Sequence, residues 1–189
     1  MERTLVLIKP DGVYRALIGE VIKRFEQAGL KIVAIKMLKP SKEMVENHYY
    51  ADNEWLESVG KKSIASAEKE GKKVTESPIE IGKRVRNLLV KSLSGKPVVA
   101  MVVEGNEAIF IVRKLVGSTE PKSAEAGSIR GSFSSDSYSL ADISGRAVRN
   151  VVHASSDKKD AEREIAIWFK ENEIISYERS DEKAMFGPD

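Results

Sequence analysis

The alternation of short apolar runs with amphipathic helical patterns constrains the fold of this chain more than any other feature. Runs of apolar, often β-branched residues predict strands at residues 4–8, 30–38, 98–103 and 151–152. Between these runs, apolar residues recur three and four positions apart, a spacing that predicts helices with one buried face. The alternation predicts an α/β or α+β sandwich in which helices cover a sheet. The repeated β-α-β order suits a ferredoxin-like sandwich, although the spacing leaves the strand order open.

Capping residues predict where several of these elements begin and end. Ser41, and Ser77 followed by a proline, are typical helix starts, whereas Gly29 and Gly117 are typical helix ends. The run at 98–103 is the most apolar in the chain. It therefore predicts a central strand that is buried on both faces.

The chain is predicted to form one domain over residues 1–189, because domains of about 100–150 residues are the commonest. Two polar segments interrupt the alternating pattern. Residues 51–77 are rich in Lys, Glu, Ser and Gly, and we interpret them as a partly helical insertion outside the central sheet. Residues 118–147 are predicted to be an extended loop, and such long loops are usually functional or disordered.

Composition excludes several classes of protein. The 31 Lys and Arg residues against 29 Asp and Glu leave a net charge of +2, which argues against a non-specific nucleic-acid-binding protein. The absence of cysteine excludes a disulfide scaffold, a thiolate zinc site and a cysteine nucleophile. No apolar run approaches the roughly 20 residues that span a bilayer, so we expect no membrane association. The N-terminus lacks a signal-peptide pattern, which leads us to expect a cytoplasmic protein.

His153 is the sharpest candidate for chemistry. It follows the predicted strand at 151–152 and precedes two small residues, so we expect its ring to be accessible at a strand end. The alternative is a histidine satisfied by hydrogen bonds within the fold. Lys9, in a Lys-Pro-Asp-Gly turn, Arg113 and the glycine-flanked Arg130 are cations of the kind that bind phosphate oxygens.

The common sequence motifs for nucleotide binding and for a serine nucleophile are missing. The chain has neither the phosphate-binding loop of P-loop proteins nor a Gly-x-Gly-x-x-Gly fingerprint, and no Gly-x-Ser-x-Gly nucleophile motif. A histidine nucleophile offers another route, since it can accept a phosphoryl group, hold it covalently and pass it to a second substrate. Lys and Arg would then neutralise the transferred oxygens, and Mg²⁺ would bridge the nucleotide phosphates.

Seven sequence blocks, spread over most of the chain, share one pattern. They are TLVLIKPDGV (4–13), LIGEVIKRFEQAGL (17–30), KPVVAMVVEG (96–105), VRKLVGSTEP (112–121), GSIRG (127–131), RNVVHAS (149–155) and AEREIAIWF (161–169). Together, and in this order, they resemble the nucleoside diphosphate kinase family. The resemblance implies an antiparallel ferredoxin-like sheet and a ping-pong enzyme that moves the terminal phosphate of a nucleoside triphosphate to a nucleoside diphosphate.

The resemblance also implies roles for individual residues. His153 would be the phosphorylated nucleophile, and Ser155 and Glu164 would orient it. Lys9 and Tyr49 would meet the transferred phosphate. The rest of the nucleotide would be held by Arg113, Thr119, Arg130 and Asn150.

Cofactor and partners follow from the same resemblance. Mg²⁺ would be held mainly by nucleotide phosphates, with no metal-ligand set from the protein. The substrates would be ATP and other nucleoside tri- and diphosphates, and the chain would form a homo-oligomer, a hexamer or a tetramer.

Three departures from the family pattern bear on function. Typical members have a Pro-Phe-Phe segment soon after the His-Tyr pair, where one phenylalanine stacks on the base. Here Trp55 is the candidate for stacking, and the alternative is a hydrophobic anchor for the insertion. Ser132 replaces the usual acidic residue, and the loop at 134–146 is longer than usual. An alternative hypothesis is therefore a nucleotide-sensing or scaffold protein on the same fold, with insertions that bind partners.

Overall fold

Four strands form one antiparallel sheet in the computed structural model, which describes residues 1–69, 71 and 73–188. The strands are β1 (Glu2–Ile8), β2 (Lys31–Leu38), β3 (Val98–Gly105) and β4 (Val152–Ala154). Their order in the sheet is β2-β3-β1-β4, and every neighbouring pair is antiparallel. With helices on both faces, this sheet confirms the predicted ferredoxin-like sandwich.

The described residues form ten α-helices. The bounds are α1 (Pro10–Tyr14), α2 (Ile18–Gln27), α3 (Lys42–His48), α4 (Asn53–Lys69), α5 (Pro78–Leu93), α6 (Ala108–Val116), α7 (Ile129–Phe133), α8 (Tyr138–Ile143), α9 (Lys158–Trp168) and α10 (Glu182–Phe186). No helix among the described residues is long and apolar enough to cross a membrane.

The central strand β3 separates two apolar cores. All of its residues are buried, as the apolar run predicted. Because side chains alternate across a strand, one set, including Met101, packs against α2 and α6. The other set, including Ala100, packs against α3, α5 and α9, where Trp168 is fully buried. The sheet is therefore held rigidly from both sides.

The predicted helix boundaries are confirmed by their caps. The Ser41 hydroxyl accepts a hydrogen bond from the Met44 amide at 3.1 Å and so begins α3. Ser77 begins α5 in a reciprocal capping box with Glu80. Gly29 and Gly117 follow α2 and α6 with φ angles of 80° and 81°, a conformation that glycine adopts without steric cost.

Helices α4 and α5 form a hairpin that contains most of the predicted insertion. The helices cross at two glycines: a Cβ at Gly60 would lie 1.8 Å from the Pro78 carbonyl oxygen, and one at Gly82 would lie 2.1 Å from the Leu56 carbonyl oxygen. Only residues without a side chain allow this approach. Positions 70 and 72 of the 51–77 segment lie outside the described residues, and its boundaries stay a prediction.

Two segments are more regular than the sequence indicated. The Lys-Pro-Asp-Gly turn is the start of α1, with Pro10 in the first helical turn, a position where proline is favoured. The predicted loop at 118–147 contains α7 and α8, and their N-cap residues are Ser128 and Ser137. Buried Asp136 fastens this loop, because its carboxylate accepts hydrogen bonds from the Arg146 guanidinium at 2.6 and 3.0 Å.

Candidate active site

His153 lies in the middle of β4 and pairs with Leu7 of β1. The prediction of a strand at 151–152 that ends before His153 is corrected, because the positive φ of Val151 places that residue in the turn before β4. The ring Nε2 of His153 is 2.9 Å from a carboxylate oxygen of Glu164 on α9. The Ser155 hydroxyl donates to the same oxygen at 2.7 Å and accepts from the Leu5 amide of β1 at 3.3 Å. A chain of hydrogen bonds thus ties the imidazole to the backbone of a buried strand.

This arrangement fixes which ring nitrogen can react. Glu164 is buried, and burial tends to raise its pKa, but the nearby imidazole and its hydrogen bonds hold the pKa below the usual value. The ionised carboxylate accepts a hydrogen bond, so in the neutral ring the proton resides on Nε2. The lone pair of Nδ1 is then available as a nucleophile.

The backbone immediately before His153 is strained. Val151 is fully buried and has a φ angle of 67°, which is unfavourable for a β-branched residue. Its amide donates to the Asp11 carboxylate at 2.9 Å, and its carbonyl accepts from the Lys9 amide at 2.8 Å. These two hydrogen bonds hold Val151 in its strained conformation at the turn before β4. Backbone strain that the surrounding structure maintains in this way is typical of functional sites.

A cavity of about 260 Å³ lies beside the imidazole. It contains three cationic side chains, and no carboxylate is among the described residues that line it. The charged residues that line the cavity therefore all favour an anion. The lining residues are Lys9, Tyr49, Leu89, Arg113, Val116, Gly117, Ser118, Thr119, Arg130, Asn150, His153 and Ala154.

Two polar groups of this cavity are buried without a hydrogen-bond partner in the described part of the chain. They are the Tyr49 hydroxyl and Nε of Arg130. Buried polar groups are normally satisfied, so these two atoms keep a hydrogen-bonding capacity that the described residues do not use. Arg113 is exposed, and no hydrogen bond or ion pair holds its side chain among the described residues. The Arg113 side chain can therefore turn to an incoming phosphate.

The remaining polar groups of the cavity are already fixed. The Lys9 ammonium donates to Asn150 Oδ1 at 2.7 Å, and the Asn150 amide donates to the Thr119 carbonyl at 2.8 Å. Arg130 donates through its two terminal nitrogens to the carbonyls of Gly117 and Val152, at 2.8 and 2.9 Å. Lys9 and Arg130 are thus set in place before a ligand arrives.

Comparison with known proteins decides the family. The sequence profile described as "Nucleoside diphosphate kinase" matches residues 2–70 and 78–174. The chain belongs to the nucleoside diphosphate kinase family. The resemblance predicted from the seven sequence blocks is confirmed, and the gap in the match falls inside the 51–77 segment.

Relatives of known sequence and structure agree with this assignment. The nucleoside diphosphate kinase of Pyrobaculum aerophilum is 49% identical over 180 residues, which cover 93% of this chain and 98% of that protein. The crystal structure of the NDP kinase from the same organism has a TM-score of 0.89 at 47% identity, over 93% of this chain and 99% of that one. A transition state mimic of the Borrelia burgdorferi enzyme, with bound vanadate and ADP, has a TM-score of 0.81 at 42% identity, over 99% of this chain and 98% of that one.

Burial gives this nucleoside diphosphate kinase site its electrostatic character. Burial, followed by the charge of Arg130, lowers the pKa of Lys9 to about 8. Burial likewise lowers the pKa of Arg130 to about 10. Burial raises the pKa of Tyr49, so its hydroxyl stays protonated and can donate. The two cations are crowded and poorly solvated, and a bound polyanion would relieve both conditions.

His48 packs edge-on against His153, with 4.5 Å between the ring centroids. Its Nδ1 accepts a hydrogen bond from the Trp168 indole at 3.3 Å. An indole only donates, so Nδ1 is unprotonated, and burial holds the pKa of His48 well below the usual value. His48 is therefore a neutral packing partner of His153.

The structure brings most of the predicted site residues together. Lys9, Tyr49, Arg113, Thr119, Arg130, Asn150 and His153 line one cavity, with Ser155 and Glu164 behind the imidazole. Trp55 is half-buried on α4 and does not line this cavity, so its stacking role gains no support. Sequence reasoning missed Leu89 and Val116, the larger apolar residues of the lining. Their helical spacing indicated only core positions.

The donor groups of the site bear on how Mg²⁺ could be held. His48, His153 and Glu164 offer ligand atoms that lie within 4.8 Å of one another. Mg²⁺ prefers oxygen ligands, two of these residues offer nitrogen, and Glu164 is already engaged by His153 and Ser155. This cluster is therefore a poor match for the ligands that Mg²⁺ prefers.

Proposed function

We propose that this nucleoside diphosphate kinase transfers the terminal phosphate of a nucleoside triphosphate to a nucleoside diphosphate through phosphorylated His153. One observation carries the proposal. An imidazole whose Nε2 is fixed by Glu164 at 2.9 Å stands at a cavity with three cations and no carboxylate in its described lining.

The first half-reaction transfers the phosphoryl group to the protein. Nδ1 of His153 attacks the γ-phosphorus of ATP, and the bond to the oxygen that bridges the β- and γ-phosphates breaks as ADP leaves. The ring becomes positively charged as the new bond forms, and the Glu164 carboxylate stabilises that charge. Ser155 keeps the carboxylate in place. ADP then departs with the electron pair of the broken bond.

The second half-reaction reverses the first with another nucleotide. A terminal oxygen of the incoming diphosphate attacks the phosphorus on His153, and the bond from Nδ1 to phosphorus breaks. The imidazole regains its lone pair, and a new nucleoside triphosphate leaves. Both half-reactions use one cavity, because donor and acceptor differ only in whether the terminal phosphate is on the nucleotide or on the protein.

The cavity residues supply charge and hydrogen bonds to this transfer. We assign Lys9 and the Tyr49 hydroxyl to the transferred phosphoryl group, because both are buried beside the imidazole. We assign the other phosphates of the nucleotide to Arg113, Arg130 and Thr119. We assign Asn150 to the sugar and phosphate. Positioning and charge neutralisation are the main sources of catalysis in phosphoryl transfer.

The base is proposed to contact the larger apolar residues of the cavity lining. These are Leu89 of α5 and Val116 of α6, and aliphatic side chains contact a base without reading its hydrogen-bonding groups. Weak discrimination between bases should follow. Trp55 remains an alternative only if α4 moves when nucleotide binds, and tryptophan fluorescence of a Trp168→Phe variant titrated with ADP would reveal contact with Trp55.

Mg²⁺ belongs to the proposal as part of the substrate. Nucleoside diphosphate kinases as a family depend on Mg²⁺, and it would enter bound to the phosphates of ATP. We also propose a cytoplasmic location, because nucleoside triphosphates are metabolites of the cell interior. Fractionation of cells that express a tagged chain would test this location.

A homo-oligomer is proposed from an open sheet edge. β2 is an edge strand, and its Ile35 and Met37 are 50% and 58% exposed. The C-terminal segment lies along part of this edge, where the Ile175 amide donates to the Val33 carbonyl and Lys36 pairs with Glu173. Ile35 and Met37 stay exposed beside it. Open edges with apolar side chains favour association with another chain. We propose that a second copy covers it, as part of a tetramer or hexamer.

The experiment for the function measures transfer from labelled ATP to GDP at several fixed concentrations of each nucleotide, with Mg²⁺ present. We expect parallel double-reciprocal lines, the pattern of a ping-pong reaction. The scaffold hypothesis predicts nucleotide binding without turnover. Absence of labelled GTP from folded protein would overturn the proposal, and intersecting lines would overturn its covalent step.

A further inference from the structure

Helix α3 ends inside the active site with His48, and Tyr49 is its C-cap. The last carbonyl groups of a helix have no partner within the helix, and here they lie close to the proposed phosphate site. Each of the last carbonyl groups of α3 accepts a hydrogen bond. The Val45 carbonyl accepts from the Tyr49 amide, and the next four carbonyls accept from two arginines.

Arg86 of α5 holds the outer pair of these carbonyls. Its Nε donates to the Tyr49 carbonyl at 2.7 Å, and one terminal nitrogen donates to the Glu46 carbonyl at 3.1 Å. Arg163 of α9 holds the inner pair, since its Nη1 donates to Asn47 and His48 at 3.1 Å each. Cations at a helix C-terminus also interact favourably with the helix dipole.

The two arginines belong to different parts of the fold. Arg163 precedes Glu164 on a helix that packs against the central sheet. Arg86 lies on α5, which packs on α4 of the predicted insertion through the glycine crossing at Gly60 and Gly82. Leu89, one turn further along α5, lines the nucleotide cavity. The hairpin therefore contacts the active site at two points on one helix.

We infer that Arg86 is a positioning residue that places the Tyr49 hydroxyl next to the transferred phosphate. The α4–α5 hairpin then contributes to the active site through Arg86. The inference rests on the proposed function. Tyr49 is the C-cap itself, with φ of −87° and ψ of 47°. Its amide donates to the Val45 carbonyl and its carbonyl accepts from Arg86, so Arg86 holds one of the two peptide groups that flank the Tyr49 side chain. The Tyr49 hydroxyl is buried and has no hydrogen-bond partner among the described residues.

A guanidinium group suits this task because its planar fork donates in two directions at once. A lysine at position 86 could reach one carbonyl but not reproduce the pair. The effect of Arg86 on catalysis should therefore pass through the Tyr49 hydroxyl and disappear when that hydroxyl is removed. A merely structural role would lower activity by the same factor whether or not the hydroxyl is present.

The experiment is a double-mutant cycle on kcat/KM in the full chain, with Arg86→Ala, Tyr49→Phe and the double variant. We expect Arg86→Ala to lower kcat/KM by about tenfold, in the range typical of groups that orient a reacting residue. In the Tyr49→Phe background, Arg86→Ala should cause less than about a twofold further loss, because coupled residues are not additive. Arg86→Lys should recover only part of the activity.

Arg84→Ala is the matched control. Arg84 is exposed on the same helix and pairs with Glu76 rather than with α3. It should leave kcat/KM within about twofold of the wild type, since surface pairs contribute little. Additive losses in the cycle would overturn the inference, and so would an Arg86→Ala variant as active as Arg84→Ala. If Arg86→Ala does not fold, Arg86→Lys replaces it under the same two criteria. Failure of the proposed function is seen separately, as absence of transfer by the wild type.

Discussion

Of the two buried cations of the proposed site, Lys9 has the lower pKa. Its ammonium group is buried, and burial and Arg130 lower its pKa to about 8. Below this pH the group is charged and attracts nucleotide phosphates, and as pH rises through it the free protein loses that charge. We predict that kcat/KM falls above about pH 8, approaching tenfold per pH unit.

The pH profile of the wild type and of Lys9→Met checks this prediction. The variant should have a lower kcat/KM and lack the alkaline decline that Lys9 causes. At saturating nucleotide the decline in kcat should move to higher pH, because bound phosphate stabilises the charged form. A wild-type kcat/KM that stays constant between about pH 7 and 9.5 would contradict the assignment.

At the scale of elements, the α4–α5 crossing is the contact least tolerant of change. We predict that Gly82→Ala destabilises the protein by about 1–3 kcal/mol, because the new Cβ would overlap the Leu56 carbonyl oxygen. Gly19→Ala is the control, since Gly19 is helical and a Cβ there meets nothing within 4 Å. It should be neutral or stabilising by up to about 1 kcal/mol. Thermal unfolding of both variants tests this prediction. Equal melting temperatures for Gly82→Ala and Gly19→Ala would contradict the tight contact at the α4–α5 crossing.

The elements differ in how far sequence could predict them. Strands β1 to β3 and the longer helices other than α4 were predictable because their apolar runs and spacings are long enough to define a pattern, and Ser41 and Ser77 mark starts by their own hydrogen bonds. Helix α4 lies in a polar segment that indicated only a partly helical insertion. Helices α7 and α8 have five and six residues, too few to show a period. Asp136 organises their loop through contacts ten and thirteen residues away, which no local pattern reveals.

The same reasoning applies to the site. The resemblance allowed Lys9, Arg130 and Asn150 to be grouped with His153, although they come from distant parts of the chain. Arg86 and Leu89 could not be found in this way. Their contacts depend on how α5 packs beside α3, and the spacing of apolar residues along α5 predicts only which face is buried.

At the scale of the whole molecule, the open edge of β2 predicts assembly. A variant with both Ile35→Glu and Met37→Glu should shift the protein to smaller species in sedimentation velocity, because buried unpaired carboxylates oppose association. Ile143→Glu is the control, since Ile143 is 80% exposed on α8, far along the chain from β2. An unchanged sedimentation coefficient for the β2 variant would place the interface elsewhere.

The central claim is that His153 carries the phosphoryl group between two nucleotides, and direct detection of that intermediate tests it. The chain has two histidines, so His48→Gln is a natural companion to His153→Ala. After incubation with γ-labelled ATP and Mg²⁺ without acceptor, we predict an acid-labile label on the wild type and on His48→Gln. Added GDP should remove the label as GTP. An unlabelled wild type, or a label that persists in folded His153→Ala, would contradict the account.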